Sequence, residues 1–293
     1  MNKNLDKKSF MIIGYAFVSI VAITCLLPFV MLISGSFTSE QYIVTRGYGL
    51  LPHNFTLEAY KSIFARPEEI LRAYGVTIFV TVIGTGLSLF FSTMTAYVLQ
   101  RRDFEWRDKF AFFLYFTTLF SGGLTPTYIL MMSLGLKNNL LAVILPSLFS
   151  VFNILIIRNF MAGIPYEISE SAKVDGAGDF LIYRKVIMPM SLPVLATMGL
   201  FIGLAYWNEW YNALLYISDD KLYTLQYYLY NMLNRAEAMA NLLQASNVNT
   251  DTAVPMESAK LAMVIVATGP ILLLYPLLQK YFVKGIIIGA VKG

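Results

Sequence analysis

The sequence is poor in the residues that build disulfides, metal sites and soluble surfaces. Its 293 residues include one cysteine, Cys25, and one histidine, His53. A single cysteine cannot form an internal disulfide, and a single histidine leaves no His/Cys cluster to hold a metal. Charged residues make up only 14% of the chain, against about 25% in soluble domains. These shortages exclude a disulfide-stapled domain and an ordinary soluble fold, and we expect no metal site.

Hydrophobic residues dominate the composition instead. They make up 57% of the chain, with 15% aromatic residues and a mean hydropathy of +0.61. Six stretches, each with at most one charged residue, are long enough to cross a bilayer as helices, which takes about 20 apolar residues. A backbone in lipid must satisfy its own hydrogen bonds, so we interpret these stretches as helices rather than strands. The predicted spans are 10–36, 74–99, 110–134, 138–158, 190–217 and 259–279.

Glycine and proline residues occur inside several of these spans. Both are tolerated in transmembrane helices, where they produce kinks or allow a neighbouring helix to approach closely. We expect one of these two roles for Pro28, Pro126, Pro146, Pro270, Gly84, Gly86, Gly199 and Gly203.

Basic residues give the orientation of the spans. Three lysines precede the first span, as they would in a signal peptide. The uncharged run from Ser9 to Ser39 has 31 residues, about twice the length of a secretory apolar core, and no A-x-A site follows, so we predict a retained anchor. With the N-terminus inside, the inner segments hold 14 of the 22 Lys and Arg residues. The positive-inside rule therefore places residues 1–9 and the tail 280–293 in the cytoplasm.

The inner segment 163–189 has the pattern of two short helices joined by a turn. Pro165 suits the first turn of a helix, and Gly176 is the expected stop because glycine accepts the left-handed conformation of a helix end. Asp179 can cap the second helix, which Pro189 would end near the membrane. Its apolar stripe is Phe180, Tyr183 and Ile187. On these grounds alone the segment is either a docking element for a soluble partner or an ordinary connector.

Residues 170–189 resemble the EAA loop of the permeases of binding-protein-dependent ABC importers. That loop has the pattern E-A-A, three residues, G, nine residues, then I-x-L-P. The same spacing is kept here by Glu170, Ser171, Ala172, Gly176, Val186, Met188 and Pro189. Three of these residues depart conservatively from the pattern, namely Ser171, Val186 and Met188. Asp175-Gly176-Ala177 also matches the D-G-A that is usual in this family.

The rest of the chain resembles the six-span carbohydrate permeases of the maltose type. The short N-terminus, Pro126, the run 207–210 and the C-terminal stretch 281–293 carry this resemblance. It implies an all-α integral membrane protein with the type I ABC importer permease fold. A single transmembrane domain, residues 10–293, would contain six transmembrane helices and a cytoplasmic helix-turn-helix coupling loop. The chain would form half of a heterodimeric pore in the bacterial cytoplasmic membrane, with both termini cytoplasmic.

The resemblance also implies the partners of the chain. A second permease subunit would complete the pore, two ATPase subunits would bind from the cytoplasm, and an extracytoplasmic solute-binding protein would deliver the solute. ATP and Mg would belong to the ATPase subunits, and the absence of a GxxxxGK[ST] phosphate loop from the sequence agrees with this. The expected solute is a sugar, and the overall resemblance is to permeases for oligosaccharides, including uronate-containing ones. Membrane lipid is an expected partner, and nucleic acid is not.

The resemblance assigns coupling to the ATPase to residues of the inner loop. They are Glu170, Ala172, Asp175, Gly176, Ala177 and Pro189. Glu170 would pair with a basic residue of the ATPase, while the small residues would allow its surface to approach closely. ATP-driven closure of the ATPase would then move the helix pair and switch the pore from inward-facing to outward-facing. We expect no cofactor, catalytic residue or enzymatic activity in this chain itself.

Glu209 is an ionisable residue inside a predicted span, which makes it a functional candidate. Aromatic faces with amide and carboxylate acceptors around it suit the hydroxyl groups of sugars. The candidate solute-contacting or pore-lining residues are Trp207, Asn208, Glu209, Trp210 and Asn212. The alternative is an aromatic belt at the membrane interface, with Glu209 reaching the outer surface or pairing with a neighbour.

The outer segment 218–258 contains an expected amphipathic helix at about 222–243. This helix either reaches toward the binding protein or lies on the membrane surface. Two other functions of the whole chain are also considered. An ion-coupled secondary transporter would often show inverted repeats, and we find no convincing repeat. A membrane-embedded hydrolase would need a base within the bilayer, but the sole histidine, His53, lies in a predicted outer loop.

Overall fold

The computed structural model describes the backbone of residues 3–245 and 256–290, and the side chains of residues 10–239, 241–242 and 256–273. Within these ranges the regular structure is helical, with one isolated bridge between Thr38 and Phe55. The helices are α1 (Lys3–Ser36), α2 (Glu40–Arg46), α3 (Glu58–Ile63), α4 (Pro67–Gln100), α5 (Arg107–Leu119), α6 (Leu124–Ser133), α7 (Leu141–Leu148), α8 (Val151–Met161), α9 (Tyr166–Val174), α10 (Asp179–Ile182), α11 (Met188–Met190), α12 (Leu192–Trp207), α13 (Tyr211–Tyr216), α14 (Leu225–Ala245) and α15 (Met256–Ala290). A π-helical turn (Tyr183–Ile187) joins α10 to α11, so Asp179–Met190 is one continuous helix.

Three helices are long and apolar enough to cross a membrane on their own. They are Phe10–Ser36 within α1, the whole of α4, and Met256–Leu273 within α15. Two bent pairs reach this length together, α7 with α8 at 49° and Asp179–Met190 with α12 at 82°. The described residues therefore hold three candidate spans, or five if each bent pair is one span. The all-α membrane architecture is confirmed, while the six-span layout within a single domain stays a prediction.

The predicted third span, 110–134, is not one helix. α5 ends at Leu119 and α6 begins at Leu124. Between them, Gly123 has a φ of 86°, a left-handed conformation that interrupts an α-helix and that glycine adopts without strain. Hydropathy gives no warning of this break because both halves of the run are apolar.

The predicted fifth span, 190–217, is also interrupted. α12 ends at Trp207 and α13 begins at Tyr211. The amide Nδ2 of Asn208 donates to the Leu204 carbonyl oxygen at 2.9 Å, so the side chain takes an acceptor in the last helical turn. At the other end of α12, Pro193 has no N–H to continue a helix from the preceding segment, and the chain bends there by 82°.

The chain packs as two compact units, described separately. The first comprises Met1–Pro67 with Leu229–Pro270, and the second Glu68–Tyr228 with Ile271–Gly293. In the first unit, the Glu40 carboxylate accepts hydrogen bonds from the backbone N–H groups of Glu257 and Ser258 at 2.8 and 2.9 Å. Glu40 therefore caps the N-terminus of α15 from a distant part of the sequence. The side chains from Phe10 to Val30 are exposed within the chain, as expected of a helix that faces lipid or another subunit.

Tyr206 lies in the core of the second unit, where its side chain is 1% exposed. Its hydroxyl donates to the Ile144 carbonyl oxygen at 2.9 Å and lies 3.2 Å from Ser88 Oγ. The ring packs directly on Gly84 of α4, since a Cβ built there would lie 2.7 Å from the Tyr206 Cζ atom. Gly84 is therefore a close-packing glycine, one of the two predicted roles. Among the described residues, apart from its chain neighbours and its own helix backbone, nothing lies within 4 Å of the Cβ position of Gly86, so no such close contact is seen there.

Replacing Gly84 by alanine is expected to destabilise the second unit by about 1–3 kcal/mol, the usual cost of overpacking a well-filled core. The Tyr206 ring cannot yield easily, because its hydroxyl is held at the far end. Thermal unfolding in detergent, followed by the loss of monodisperse protein, measures the effect. Gly86→Ala is the matched control on the same helix and should melt like the wild type. Equal melting temperatures for Gly84→Ala and Gly86→Ala would contradict the close packing.

Candidate coupling site

The segment 163–189 forms the two helices and turn that its sequence predicts. After α9, the Gly176 N–H donates to the Lys173 carbonyl oxygen at 3.0 Å, and the Ala177 N–H to that of Ala172 at 2.9 Å. These two bonds make a Schellman motif, which ends a helix through a left-handed residue. Gly176 is that residue, with a φ of 82°. The predicted left-handed stop is confirmed.

The exposed tip of this segment includes three of the predicted coupling residues, Glu170, Asp175 and Gly176. Two apolar side chains share it, since Val174 is 87% exposed and Phe180 60% exposed. Apolar side chains exposed beside an acidic residue are typical of a docking surface. We call these five residues the coupling tip.

Two other predicted coupling residues do not belong to the tip. Ala172 and Ala177 are half-buried and pack against the core of the second unit. Their small size lets α9 and the turn lie close to that core. Pro189 does not end the second helix, because α11 continues through it to Met190. The ring of Pro189 would clash with the Lys185 carbonyl oxygen in a regular α-helix, and the π-helical turn at Tyr183–Ile187 widens the backbone at this point.

Charged groups hold the coupling segment to the loop after α4. Arg101 Nε donates to Asp103 Oδ1 at 2.8 Å, and Arg101 Nη1 lies 2.7 Å from Asp179 Oδ1. Lys173 Nζ donates to Asp103 Oδ2 at 2.7 Å. We call these four residues the clamp, because two of them lie in the loop and two in the coupling segment. The Arg101 guanidinium, followed by Lys173, holds the pKa of the Asp103 carboxyl well below its usual range despite partial burial.

The clamp corrects one detail of the sequence interpretation. Asp179 is the first residue of α10 rather than its cap, the cap position is Gly178, and no side chain caps this helix. The Asp179 carboxylate binds Arg101 instead. An acidic residue in a first turn still complements the helix dipole, but its partner comes from a loop 78 positions earlier in the sequence.

Buried contacts next to the clamp also hold the second helix of the coupling segment against α4. The Tyr183 hydroxyl lies 2.8 Å from Thr93 Oγ1, and the Tyr97 hydroxyl donates to the Asp179 carbonyl oxygen at 3.3 Å. Ile182 and Ile187 are almost fully buried. The second helix of the coupling segment is therefore fixed to the end of α4 by both polar and apolar contacts.

The residues predicted to meet the solute lie around the break between α12 and α13. Trp207 is 7% exposed and packs near Tyr74, with ring centroids 6.4 Å apart. Glu209 Oε1 accepts the backbone N–H of Asn212 at 2.7 Å. This bond satisfies a free N–H in the first turn of α13, so Glu209 stabilises the helix start rather than standing alone in the membrane.

The amide and the second indole of this group differ in exposure and contacts. Asn208 is exposed, and its Oδ1 accepts from Gln226 Nε2 at 3.1 Å. Trp210 is 39% exposed, and its ring meets Tyr211 edge-on at 5.9 Å. Of the two predicted indoles, Trp210 is thus the one with an accessible face.

The coupling segment and the Glu209 region lie at opposite ends of α4. Near one end, the Leu225 N–H donates to Thr77 Oγ1 at 2.7 Å, and the preceding Thr224 donates to the Glu209 carbonyl oxygen at 2.8 Å. Near the C-terminal end of α4, Arg158 Nε donates to the Leu99 carbonyl oxygen at 3.1 Å. Thr77 and Leu99 are separated by about 33 Å along the helix at 1.5 Å per residue. This distance matches the apolar thickness of a bilayer, about 30 Å.

Sequence reasoning missed Arg101, Asp103, Val174 and Phe180 as parts of the site. The sequence analysis uses Arg101 only as one of the basic residues that give the orientation, and it assigns no role to Asp103. Two apolar residues outside any predicted span, Val174 and Phe180, were the available signal for the tip. The predicted apolar stripe of the second helix was wrong for Phe180, which is exposed while Tyr183 and Ile187 are buried.

Comparisons with known proteins show the family to which the chain is similar. A family model described as "Binding-protein-dependent transport system inner membrane component" matches residues 9–288. The polygalacturonan/rhamnogalacturonan transport system permease protein YtcP of Bacillus subtilis (strain 168) is 39% identical over 99% of this chain and 100% of its own length. Protein LplC of the same organism is 42% identical over 100% of this chain and 98% of its own. A solved bacterial ABC transporter involved in the import of the acidic polysaccharide alginate contains a similar chain, with a TM-score of 0.79, 29% identity, and coverage of 96% of this chain and 99% of that one.

Proposed function

This chain belongs to the binding-protein-dependent transport system inner membrane components, and we propose that it is the permease subunit of an ATP-driven importer for acidic oligosaccharides. It forms half of the translocation pore together with a second permease subunit. Two ATPase subunits bind ATP and Mg on the cytoplasmic side, and an extracytoplasmic binding protein delivers the solute. Both termini face the cytoplasm, in accord with the distribution of basic residues.

The observation that carries the coupling role is the construction of the coupling tip. A Schellman turn presents Glu170, Val174 and Phe180 at one end of the second unit, and the clamp ties that turn to α4. An ATPase surface that binds the tip can therefore push on a helix that runs the length of the unit. Glu170 offers a charge-assisted contact to a basic residue of that surface.

The comparisons support the proposed substrate class. A relative carries the name of a polygalacturonan/rhamnogalacturonan permease, and the similar solved chain belongs to an importer of the acidic polysaccharide alginate. Polygalacturonan and alginate are both polyuronates, so the solute we propose is an oligosaccharide rich in uronate residues. Since the Glu209 carboxylate caps α13, Trp210 and Asn208 are the more accessible groups of the predicted set for contact with sugar rings and hydroxyls.

Uptake into proteoliposomes tests this proposal. The assembled importer with its binding protein should accumulate labelled oligogalacturonides when ATP is enclosed, and a neutral maltooligosaccharide of equal length is the control solute. Uptake that persists without ATP and collapses with an uncoupler would establish an ion-coupled secondary transporter instead. ATP-driven uptake of the neutral sugar alone would overturn the acidic substrate class while leaving the importer role intact.

A further inference from the structure

A polar cavity of about 360 Å³ lies between the first helix of the coupling segment and the neighbouring ends of α4, α5 and α8. It is bounded by the end of α4, the start of α5, the end of α8 and the first turns of α9. Three arginines line it, Arg102, Arg107 and Arg158, together with Tyr166 and Ser169 of α9. All these elements belong to the second unit. Neither the clamp nor the coupling tip uses this cavity.

The cavity carries excess positive charge. Its lining includes one carboxylate, that of Asp108, against three guanidinium groups, which leaves a net charge of +2. Asp108 Oδ1 lies 3.6 Å from Arg107 Nε. Among the described residues, no carboxylate is within ion-pair distance of Arg102 or Arg158. Arg102 lies 5.5 Å from the centre of the Tyr166 ring, and Arg158 Nε donates to a backbone carbonyl oxygen. Arg102 and Arg158 thus lack an acidic partner among the described residues, and the single carboxylate of Asp108 leaves the three guanidinium groups with an excess of positive charge that favours an anion.

The start of α5 adds a second, independent feature that favours an anion. This helix has 13 residues, and its first two, Arg107 and Asp108, line the cavity. Trp106 occupies the cap position, and its side chain accepts no hydrogen bond from the helix. The Arg107 N–H donates to the Phe104 carbonyl oxygen at 3.2 Å, whereas the N–H groups of Asp108 and Lys109 have no acceptor among the described residues. N–H groups without an acceptor at the positive end of a helix dipole, such as these two, favour the binding of a phosphate.

The residues around the cavity are of the types found at a membrane interface. Trp106 is 56% exposed, and Lys109 Nζ lies 4.3 Å from the centre of its ring. No residue of α5 is buried in the protein, and Phe110 is 51% exposed. Tryptophan and lysine next to an apolar exposed helix are typical anchors at a membrane interface. Basic pockets on the cytoplasmic side at this depth bind the headgroups of anionic lipids.

We infer that this cavity binds the phosphate group of an anionic phospholipid from the cytoplasmic leaflet. Arg102, Arg107 and the start of α5 hold the phosphate, and Arg158 adds positive charge at the base of the site. Because Tyr166 and Ser169 come from α9, the bound lipid joins the coupling segment to α4 and α8. Anionic lipid therefore stabilises the position of the segment, in addition to the clamp.

Native mass spectrometry of the assembled importer tests this inference. Complexes extracted from nanodiscs of equal parts phosphatidylglycerol and phosphatidylcholine are expected to retain phosphatidylglycerol preferentially. In Arg102→Gln/Arg107→Gln, the retained phosphatidylglycerol should bind about tenfold more weakly, which corresponds to about 1.4 kcal/mol. The control is Arg184→Gln/Lys185→Gln, which removes two exposed positive charges of the second helix outside the cavity lining and should retain lipid like the wild type.

A second arm separates lipid from free anion. Inorganic phosphate is added to the importer in nanodiscs of phosphatidylcholine alone, and the melting temperature is recorded. A phosphate-dependent rise that disappears in Arg102→Gln/Arg107→Gln, without any lipid preference, would overturn the lipid as the source of the phosphate. Equal retention of phosphatidylglycerol by the wild type and this variant would overturn the site itself. Neither readout depends on transport or on the identity of the sugar.

Discussion

Gly176→Val should abolish solute-stimulated ATP hydrolysis and uptake while leaving the transmembrane part folded. A non-glycine residue in the left-handed region costs about 1–2 kcal/mol, and a β-branched one more. Among the described residues, apart from the chain neighbours of Gly176, nothing lies within 4 Å of its Cβ position, so the penalty comes from the backbone rather than from a clash with these residues. The turn is expected to open and to displace the coupling tip. ATP turnover, uptake and ATPase stoichiometry in proteoliposomes measure the result together.

Two further variants distinguish the effect of the backbone turn from the effect of the surface that the coupling tip exposes. Gly176→Asn keeps a residue that tolerates the left-handed conformation but adds a side chain at the tip, and it should transport at an intermediate rate. Ser171→Ala brings the sequence closer to the E-A-A pattern and should be mild. If Gly176→Val transports at the wild-type rate with full ATPase occupancy, the segment 163–189 is not the coupling element.

Arg101→Met is expected to release the coupling segment from α4. The variant loses the bonds to Asp103 and Asp179 at once, and because both carboxylates are partly solvated, we expect a loss of about 1–2 kcal/mol in local stability. Backbone amides of 166–190 should exchange hydrogen about tenfold faster, as 1.4 kcal/mol implies. ATP hydrolysis should continue at its basal rate and no longer respond to the solute. Hydrogen exchange and ATPase assays on the assembled importer check both effects.

Two further variants and the pH dependence of stability test the role of the clamp more closely. Arg101→Lys keeps the charge but loses the planar fork, so its exchange rates should fall between those of wild type and Arg101→Met. Arg184→Met removes an exposed positive charge of the same segment and should leave exchange unchanged. Because the pKa of Asp103 is lowered in the folded protein, its contribution is complete above the ordinary carboxyl range and is lost only in strong acid. A loss of clamp stability between pH 6 and 8 would therefore contradict the assignment of Asp103.

The sequence predicted the helical turn of the coupling segment because its determinants are local. Pro165, Gly176 and the bonds that close the Schellman motif lie within 13 positions of one another. The clamp could not be predicted in the same way. Arg101 and Asp179 lie far apart in the sequence, and nothing in their immediate neighbours indicates that the fold brings them together.

Long apolar runs were informative about helical content and uninformative about continuity. The run 110–134 is uniformly uncharged, yet the backbone at Gly123 divides it. Hydropathy records the preference of side chains for lipid, which both halves of a broken helix satisfy equally. Glu209 shows the converse limit. Its charge identified a special position, but the sequence did not indicate the hydrogen bond to a backbone N–H three residues away, and it left both interpretations of the position open.

The 82° bend between Asp179–Met190 and α12 determines the direction in which a force can travel. When two rigid helices are joined at nearly a right angle, a pull along the axis of one displaces the joined end of the other sideways. If the ATPase draws Asp179–Met190 along its own axis, the near end of α12 moves almost perpendicular to the axis of α12. Motion transmitted through this bend therefore tilts α12 and does not translate it along its own axis.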